Sequence, residues 1–132
     1  HFTLPREEQT KRVIRAMQNP HADILYHPTG RLLNRRPAID IDMDAIIKTA
    51  KAMGIILEID SLPDRLDLKD EYIRAAIQAG VKLTIDSDAH NTSQFSVLEF
   101  GIAQARRGWA TKKDIINAWP LEKMLSFLKG GR

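Results

Sequence analysis

The chain has 132 residues, which is enough for one domain with a hydrophobic core and too few for two ordinary domains. Hydrophobic residues make up 43% and charged residues 28%, a composition typical of globular proteins and not of disordered ones. No apolar run approaches the ~20 residues that span a membrane. Cysteine is absent, which excludes disulfides and thiolate chemistry. The net charge of +3 fits plain solubility and also an anionic partner such as nucleic acid.

The start of the chain predicts a helix followed by a strand. A helix within residues 4–20 is favoured by Pro5 in its first turn, acidic residues near its start and an apolar stripe. Residues 22–26 then predict a short buried strand. This strand runs into His27-Pro28 and an irregular basic loop.

The next two helix–strand pairs have clearer boundaries. Asp42 suits the N-cap of a helix over 43–53, and Gly54 suits its left-handed C-terminal position. A third helix would be closed in the same way by Gly80. The ranges of this part are, in order, helix 43–53, strand 55–59, helix 70–79 and strand 81–86.

The remainder of the chain is predicted to be helical. One helix would cover residues 93–108, and another would begin at Thr111, where Asp114 three residues later resembles a capping box. A last helix would begin near Pro120. Helices and strands thus alternate, which predicts an α/β fold with parallel strands, as in a β/α barrel or a doubly wound sheet. Three strands are few for either, which suggests a piece of a larger fold.

Reactive side chains follow the carboxyl ends of the predicted strands, where active sites of such folds form. The amino ends offer no such groups. Asp88 and His90 are two positions apart and would point to one side of an extended chain, so both could bind one metal ion. His27 in isolation fits a hydrogen-bonded structural role, and the Asp-x-His pattern also fits a turn. The strand-end residues are Tyr26, His27, Glu58, Asp60, Asp86, Asp88 and His90.

Three carboxyl groups are assigned supporting roles. Asp86 lies inside its strand, where it could reach the site or serve a structural role. Glu58 and Asp60 could orient a metal ligand or act as an acid or base. We rank all three below His27, Asp88 and His90 as ligands.

Arginines form the second candidate group. Guanidinium groups beside a metal site suit phosphate, because their fork binds two oxygens at once. The simpler alternative is a solvated basic loop, and Arg65 could instead pair with Asp64 or Asp67. The predicted phosphate-binding residues are Arg31, Arg35, Arg36 and Arg65.

Three motifs occur in a specific order: His-Pro-Thr-Gly-Arg at 27–31, Asp-Arg-Leu-Asp-Leu at 64–68 and Asp-Ala-His at 88–90. With the segments around them, they make nearly the whole chain resemble the C-terminal part of the PHP (polymerase and histidinol phosphatase) domain of bacterial and archaeal family X DNA polymerases. The resemblance implies a distorted seven-stranded, TIM-like β/α barrel. This chain would supply three of its parallel strands, their helical crossovers and a helical C-terminus.

The resemblance also implies chemistry. His27, Asp88 and His90 would be ligands in a cluster of up to three divalent ions, typically Zn or Mn, although Mg or Fe also suits such ligands. The domain would hydrolyse phosphoesters. In this polymerase family it supplies 3′–5′ exonuclease activity and processing of 3′ ends or abasic sites in DNA repair.

Part of the family pattern is expected to lie outside this sequence. The chain begins at His1 without a methionine, so we expect residues 1–132 to be a single-domain piece that lacks the N-terminal half of the barrel and the polymerase core. His1 is not counted as a ligand. Because further ligands would lie upstream, we expect weak activity or none from the piece alone, and no DNA synthesis.

Two other functions stay open. The domain could be a non-catalytic structural or DNA-binding module, or a free-standing PHP phosphatase of small molecules. The expected partners are DNA 3′ ends and backbone and the polymerase core of the parent chain, with no membrane. Exposed strand edges would favour self-association of the piece. The expected location is the cytoplasm, at the nucleoid.

Overall fold

The computed structural model describes residues 3–130, with side chains described through residue 128. Over this range the chain forms five α-helices, three parallel strands and two 3₁₀ helices, as the α/β prediction requires. In chain order they are α1 (Arg6–Met17), β1 (Ile24–Leu25), α2 (Met43–Met53), β2 (Ile56–Asp60), α3 (Asp70–Ala79), β3 (Leu83–Asp86), a 3₁₀ helix (Thr92–Val97), α4 (Leu98–Arg107), a second 3₁₀ helix (Ile116–Ala118) and α5 (Leu121–Gly130).

The sheet follows the order of the chain. Its strands lie in the order β1-β2-β3 and all pair in parallel. A doubly wound sheet reverses its strand order at a switch point, whereas a β/α barrel keeps neighbours in sequence next to each other. The sequential order over the described residues fits an arc of a barrel, and it also fits one half of a doubly wound sheet. The complete seven-stranded barrel lies beyond what these three strands establish.

Alternation along β2 separates the two faces of the sheet. Leu57 and Ile59 belong to the hydrophobic core, which also contains buried residues of α1, α2, α3 and α4. Glu58 and Asp60 alternate with them and are also buried, at 1% and 0% exposure. Each fully buried aliphatic side chain contributes about 1.5–3 kcal/mol to the free energy of folding. The core thus anchors β2 firmly while its alternate residues carry polar groups.

The predicted helix boundaries at Asp42, Gly54 and Gly80 are confirmed. Asp42 Oδ1 accepts a hydrogen bond of 3.0 Å from the backbone N–H of Ala45. Gly54 and Gly80 have φ angles of 69° and 78°, the left-handed conformation that glycine adopts without a steric penalty.

The predicted helix over residues 93–108 is wrong in its first part. Residues Thr92–Val97 form a 3₁₀ helix, and α4 begins only at Leu98. Asn91 precedes the 3₁₀ helix, and its Oδ1 accepts hydrogen bonds from both the N–H and the hydroxyl of Ser93. These bonds hold the tight turn that starts the segment.

The helix predicted from Thr111 is also wrong. Asp114 does accept hydrogen bonds of 2.9 Å from the N–H and the hydroxyl of Thr111, as a capping box would suggest. However, the next residues extend along β3. The N–H of Leu83 donates to the carbonyl of Asp114 at 2.9 Å, and Ile115 forms a parallel bridge with Leu83. Burial of Ile115 against the core favours this pairing over a helix.

None of the helices in residues 3–130 combines the length and apolarity that a membrane span requires.

Candidate metal centre at the carboxyl ends of the strands

Three side chains that can ligate a metal converge beside the sheet. His27, Asp60 and Asp88 each offer one ligand atom, and these atoms all lie within 4.8 Å of one another. The Nδ1 atom of His27 is 3.2 Å from Asp60 Oδ2, and its Nε2 atom is 3.9 Å from Asp88 Oδ2. His27 follows β1, Asp60 is the last residue of β2, and Asp88 follows β3. The parallel sheet therefore brings the three side chains together at the carboxyl ends of its strands, as predicted.

Local backbone conformation aims two of these side chains. His27 and Asp88 both have φ angles of 48°, in the left-handed region that residues other than glycine rarely adopt. Asp86 supports the second turn, because its Oδ1 atom accepts a hydrogen bond of 3.1 Å from the N–H of Asp88. This places Asp86 as a support of Asp88, one of the two roles considered for it.

The three residues fit a divalent cation. Buried polar atoms almost always have a hydrogen-bond partner. In the described part of the chain, His27 Nδ1, Asp60 Oδ2 and Asp88 Oδ2 are buried atoms without one. Imidazole nitrogen and carboxylate oxygen form a set of ligands that suits Zn, Mn, Fe or Mg. A cation held by these three residues would give partners to Asp60 Oδ2 and Asp88 Oδ2.

Arg65 lies against the same carboxylates. Its Nε atom is 3.4 Å from Asp60 Oδ2 and 3.3 Å from Asp88 Oδ2. The guanidinium therefore faces the candidate metal ligands. The alternative considered from the sequence was an ion pair with Asp64 or Asp67. Its predicted role in phosphate binding stays a prediction.

Glu58 is a buried carboxyl that contacts His27. Its Oε2 atom accepts a hydrogen bond from the N–H of His27 and lies 3.2 Å from His27 Nδ1. Burial, reinforced by the neighbouring Asp86 carboxyl, raises the pKa of Glu58 to about 9. Burial and the charge of Asp88 likewise raise the pKa of Asp60 to about 6. The high pKa values reflect carboxyl groups crowded together with little water.

Asp67 is a structural residue of the site that the sequence did not reveal. It is fully buried and accepts hydrogen bonds from the N–H and hydroxyl of Thr29 and from the N–H of Gly30, at 2.8–3.3 Å. Burial raises the pKa of Asp67, although these hydrogen bonds oppose the shift. Asp67 therefore ties the loop after β1 to the loop after β2. Its partners are 37 and 38 residues away, a separation for which one sequence carries no signal.

The arginines of the basic loop mainly hold the backbone. Arg31 donates from Nε to the carbonyl of Arg65 at 2.9 Å and from a terminal nitrogen to the carbonyl of Leu66. Arg36 donates twice to the carbonyl of Gly30, at 2.8 and 3.1 Å. Arg35 is exposed, and all three arginines line a cavity of about 510 Å³. Their predicted contact with phosphate is thus untested, and two of them have a structural role as well.

His90 is not part of the converging group. Its side chain is exposed, and its backbone N–H donates to Gln94 Oε1 at 2.7 Å. Its role as a ligand stays a prediction. His1 lies outside the described residues.

No family model matches the chain. Over 97% of its length, it is 40% identical to the DNA polymerase/3′-5′ exonuclease PolX of Bacillus subtilis (strain 168), of which it covers 22%. The resemblance to the PHP region of PolX is confirmed. The chain is also 27% identical, over 93% of its length, to a probable phosphatase of Thermoanaerobacter sp. (strain X514), of which it covers 50%. A probable phosphatase of Clostridium acetobutylicum is 33% identical over 64% of the chain. The chain thus spans about a fifth to a half of the first two relatives.

Proposed function

We propose that the chain is part of a metal-dependent phosphoesterase domain. Residues 1–132 would form, as a single unit, the C-terminal portion of a PHP barrel. The convergence of His27, Asp60 and Asp88 at the strand ends carries this proposal. The sequential strand order supports the barrel architecture. The similarity to PolX and to probable phosphatases supports the hydrolytic chemistry.

In this proposal His27, Asp60 and Asp88 hold a divalent ion, with Zn or Mn as the first choices. His90 would join them as a further ligand. A bound ion of this kind polarises a phosphoryl oxygen and activates water for hydrolysis. Glu58 accepts a hydrogen bond from the backbone N–H of His27 on one side, while Asp86 holds the turn that carries Asp88. Arg31, Arg35 and Arg36 would attract the phosphate from the neighbouring basic loop.

The proposed substrate of the whole protein is a DNA phosphodiester at a 3′ end. PolX of Bacillus subtilis is named a 3′-5′ exonuclease as well as a polymerase, and the present chain is similar to a segment of it. We accordingly propose DNA and a polymerase core as partners of the whole protein, a role in repair of 3′ ends or abasic sites, and a place at the nucleoid in the cytoplasm. The 132-residue chain alone is expected to have weak activity or none.

The first test is metal binding by the 132-residue chain. We expect Asp60→Asn to weaken the affinity for Mn²⁺ or Zn²⁺ by about tenfold or more, since an amide replaces a charged ligand that has no other hydrogen-bond partner at Oδ2. Asp64→Asn is the matched control, because Asp64 is an exposed carboxyl in the loop that follows Asp60. Isothermal titration calorimetry measures both. Equal affinities in the wild type and both variants would contradict the proposed centre.

A phosphatase of small molecules is the second candidate, favoured by the relatives named probable phosphatases. Hydrolysis of a 5′-labelled oligonucleotide and of p-nitrophenyl phosphate, measured side by side with Mn²⁺, separates the two. An exonuclease shortens the oligonucleotide, whereas a small-molecule phosphatase acts mainly on the monoester. His90→Ala adds a check on the proposed ligands. If it removes hydrolysis but leaves DNA binding intact, a non-catalytic module is excluded.

A further inference from the structure

Arg65 occupies an unusual position for a residue expected to bind phosphate. Its Nε atom lies 3.3–3.4 Å from one oxygen of Asp60 and one oxygen of Asp88, the same two oxygens that converge with His27. The side chain is 23% exposed, so the pair is shielded from water on most sides. A guanidinium therefore stands beside the place where the metal ion is proposed to bind.

Arg65 would compete with the metal ion for the same carboxylate oxygens of Asp60 and Asp88. A divalent metal binds carboxylate oxygen at about 2.0–2.2 Å, and it repels a guanidinium in contact with the same oxygen. In the described part of the chain, Arg65 is the lysine or arginine that ion-pairs with Asp60 and Asp88. Without it, only the imidazole of His27 would lie against these two crowded carboxylates whenever the metal is absent.

We propose that Arg65 is an internal counter-ion of the metal centre, which holds Asp60 and Asp88 in the metal-free chain and has to move away when the ion binds. This inference rests on the proposed metal centre. It assigns Arg65 the role of setting the metal affinity, because part of the binding free energy is used to displace the guanidinium.

The loop around Arg65 is held by main-chain contacts that do not need the guanidinium. The N–H of Arg65 donates to the carbonyl of Leu62 at 2.8 Å, and its carbonyl accepts from Arg31 Nε at 2.9 Å. The N–H of Leu33 donates to the carbonyl of Asp64. A substitution of the Arg65 side chain should therefore leave the loop in place and change mainly the charge beside the carboxylates.

The test compares metal affinity with the stability of the metal-free chain. For Arg65→Met we expect about tenfold tighter binding of Mn²⁺ or Zn²⁺ by calorimetry, a modest effect for removal of one shielded charge pair. We also expect a lower melting temperature in chelator. A merely structural role would lower the melting temperature and weaken metal binding together. Arg65→Lys, which keeps the charge, should bind metal nearly as the wild type does.

Arg106→Met is the matched control, because it removes one positive charge from an exposed arginine in the last turn of α4. It should change the metal affinity by no more than about twofold, since exposed charges are screened. If circular dichroism shows that Arg65→Met does not fold, Arg65→Gln replaces it with the same expectations.

The outcomes separate this inference from the proposed function. Suppose that the wild type binds metal through Asp60 and that the folded Arg65 variant binds it equally or more weakly. This result would overturn the counter-ion role of Arg65 and leave the proposed metal centre in place. Binding that depends on Asp60 and appears only in the Arg65 variant would support the counter-ion role. If neither protein binds metal through Asp60, both the counter-ion and the proposed centre are overturned.

Discussion

Glu58 makes the stability of the metal-free chain depend on pH. Its pKa of about 9 in the folded chain is above the ordinary value of 4.5, so the folded state keeps a proton that the unfolded state has lost in this window. The stability that Glu58 contributes is present below pH 4.5 and is lost as the pH rises towards 9. A buried carboxyl thus weakens the apo fold most at alkaline pH.

We expect Glu58→Gln to reduce this pH dependence, because glutamine resembles the protonated acid and does not titrate. Urea denaturation in chelator at pH 5.5, 7 and 8.5 measures the free energy of unfolding. The decline with rising pH should be shallower in Glu58→Gln than in the wild type. Glu99→Gln, at an exposed carboxyl, is the control and should decline as the wild type does. Parallel curves for all three proteins would contradict the assignment.

Individual residues mark how far the sequence can specify the site. Strand ends identify His27 and Asp88, because parallel strands bring their carboxyl ends to one edge of the sheet. Asp60 is recognised only as a supporting residue, although the structure groups it with His27 and Asp88. Whether a side chain at a strand end points into a site depends on local φ angles, such as the 48° of His27 and of Asp88, which the sequence does not display.

At the scale of elements, α4 packs unusually close to the sheet. Gly101 lies inside α4, and a Cβ atom at this position would be 2.0 Å from Ser61 Oγ and 2.9 Å from a methyl group of Ile85. Both distances are far below ordinary contact. The glycine is therefore required by packing, in spite of its poor helix propensity.

We expect Gly101→Ala to lower the free energy of unfolding by about 1–3 kcal/mol, as overpacking of a core usually does. In an open helix the same change would stabilise by about 1 kcal/mol, so the sign of the effect tests the close approach. Ile102→Ala is the control at an exposed neighbour in the same helix, and it should have a small effect. Urea denaturation at neutral pH measures all three proteins, and a gain in stability for Gly101→Ala would refute the packing.

The helices and strands differ in how far local sequence signals determine their boundaries. The cap at Asp42 and the glycines at 54 and 80 are predicted correctly because each signal acts within one turn of helix. The helix predicted from Thr111 is wrong because Ile115 pairs with Leu83, more than 30 residues away. The hydrogen bonds from Thr111 to Asp114 would form in a capped helix and also form in the observed turn. The Thr111–Asp114 spacing therefore could not distinguish a helix from a turn that leads back to the sheet.

At the scale of the whole molecule, the sheet has a consistent direction. Ile115 extends the order β1-β2-β3 by one further parallel bridge, as the next unit of a barrel would. At the other edge, β1 is only two residues long. Short edge strands offer few free backbone groups for pairing with a second chain. The prediction of self-association from exposed edges therefore gains no support from this edge and stays a prediction.

Asp67 has a consequence for how such a site can change over generations. One buried carboxylate joins Thr29 and Gly30 to the loop that carries Arg65, so the two loops fit each other through a shared partner. A substitution that reshapes one loop is tolerated only while the other still matches it. Because substitutions at residues that share a partner are not additive, we expect epistasis between the loops after β1 and β2, with paired substitutions tolerated where single ones are not.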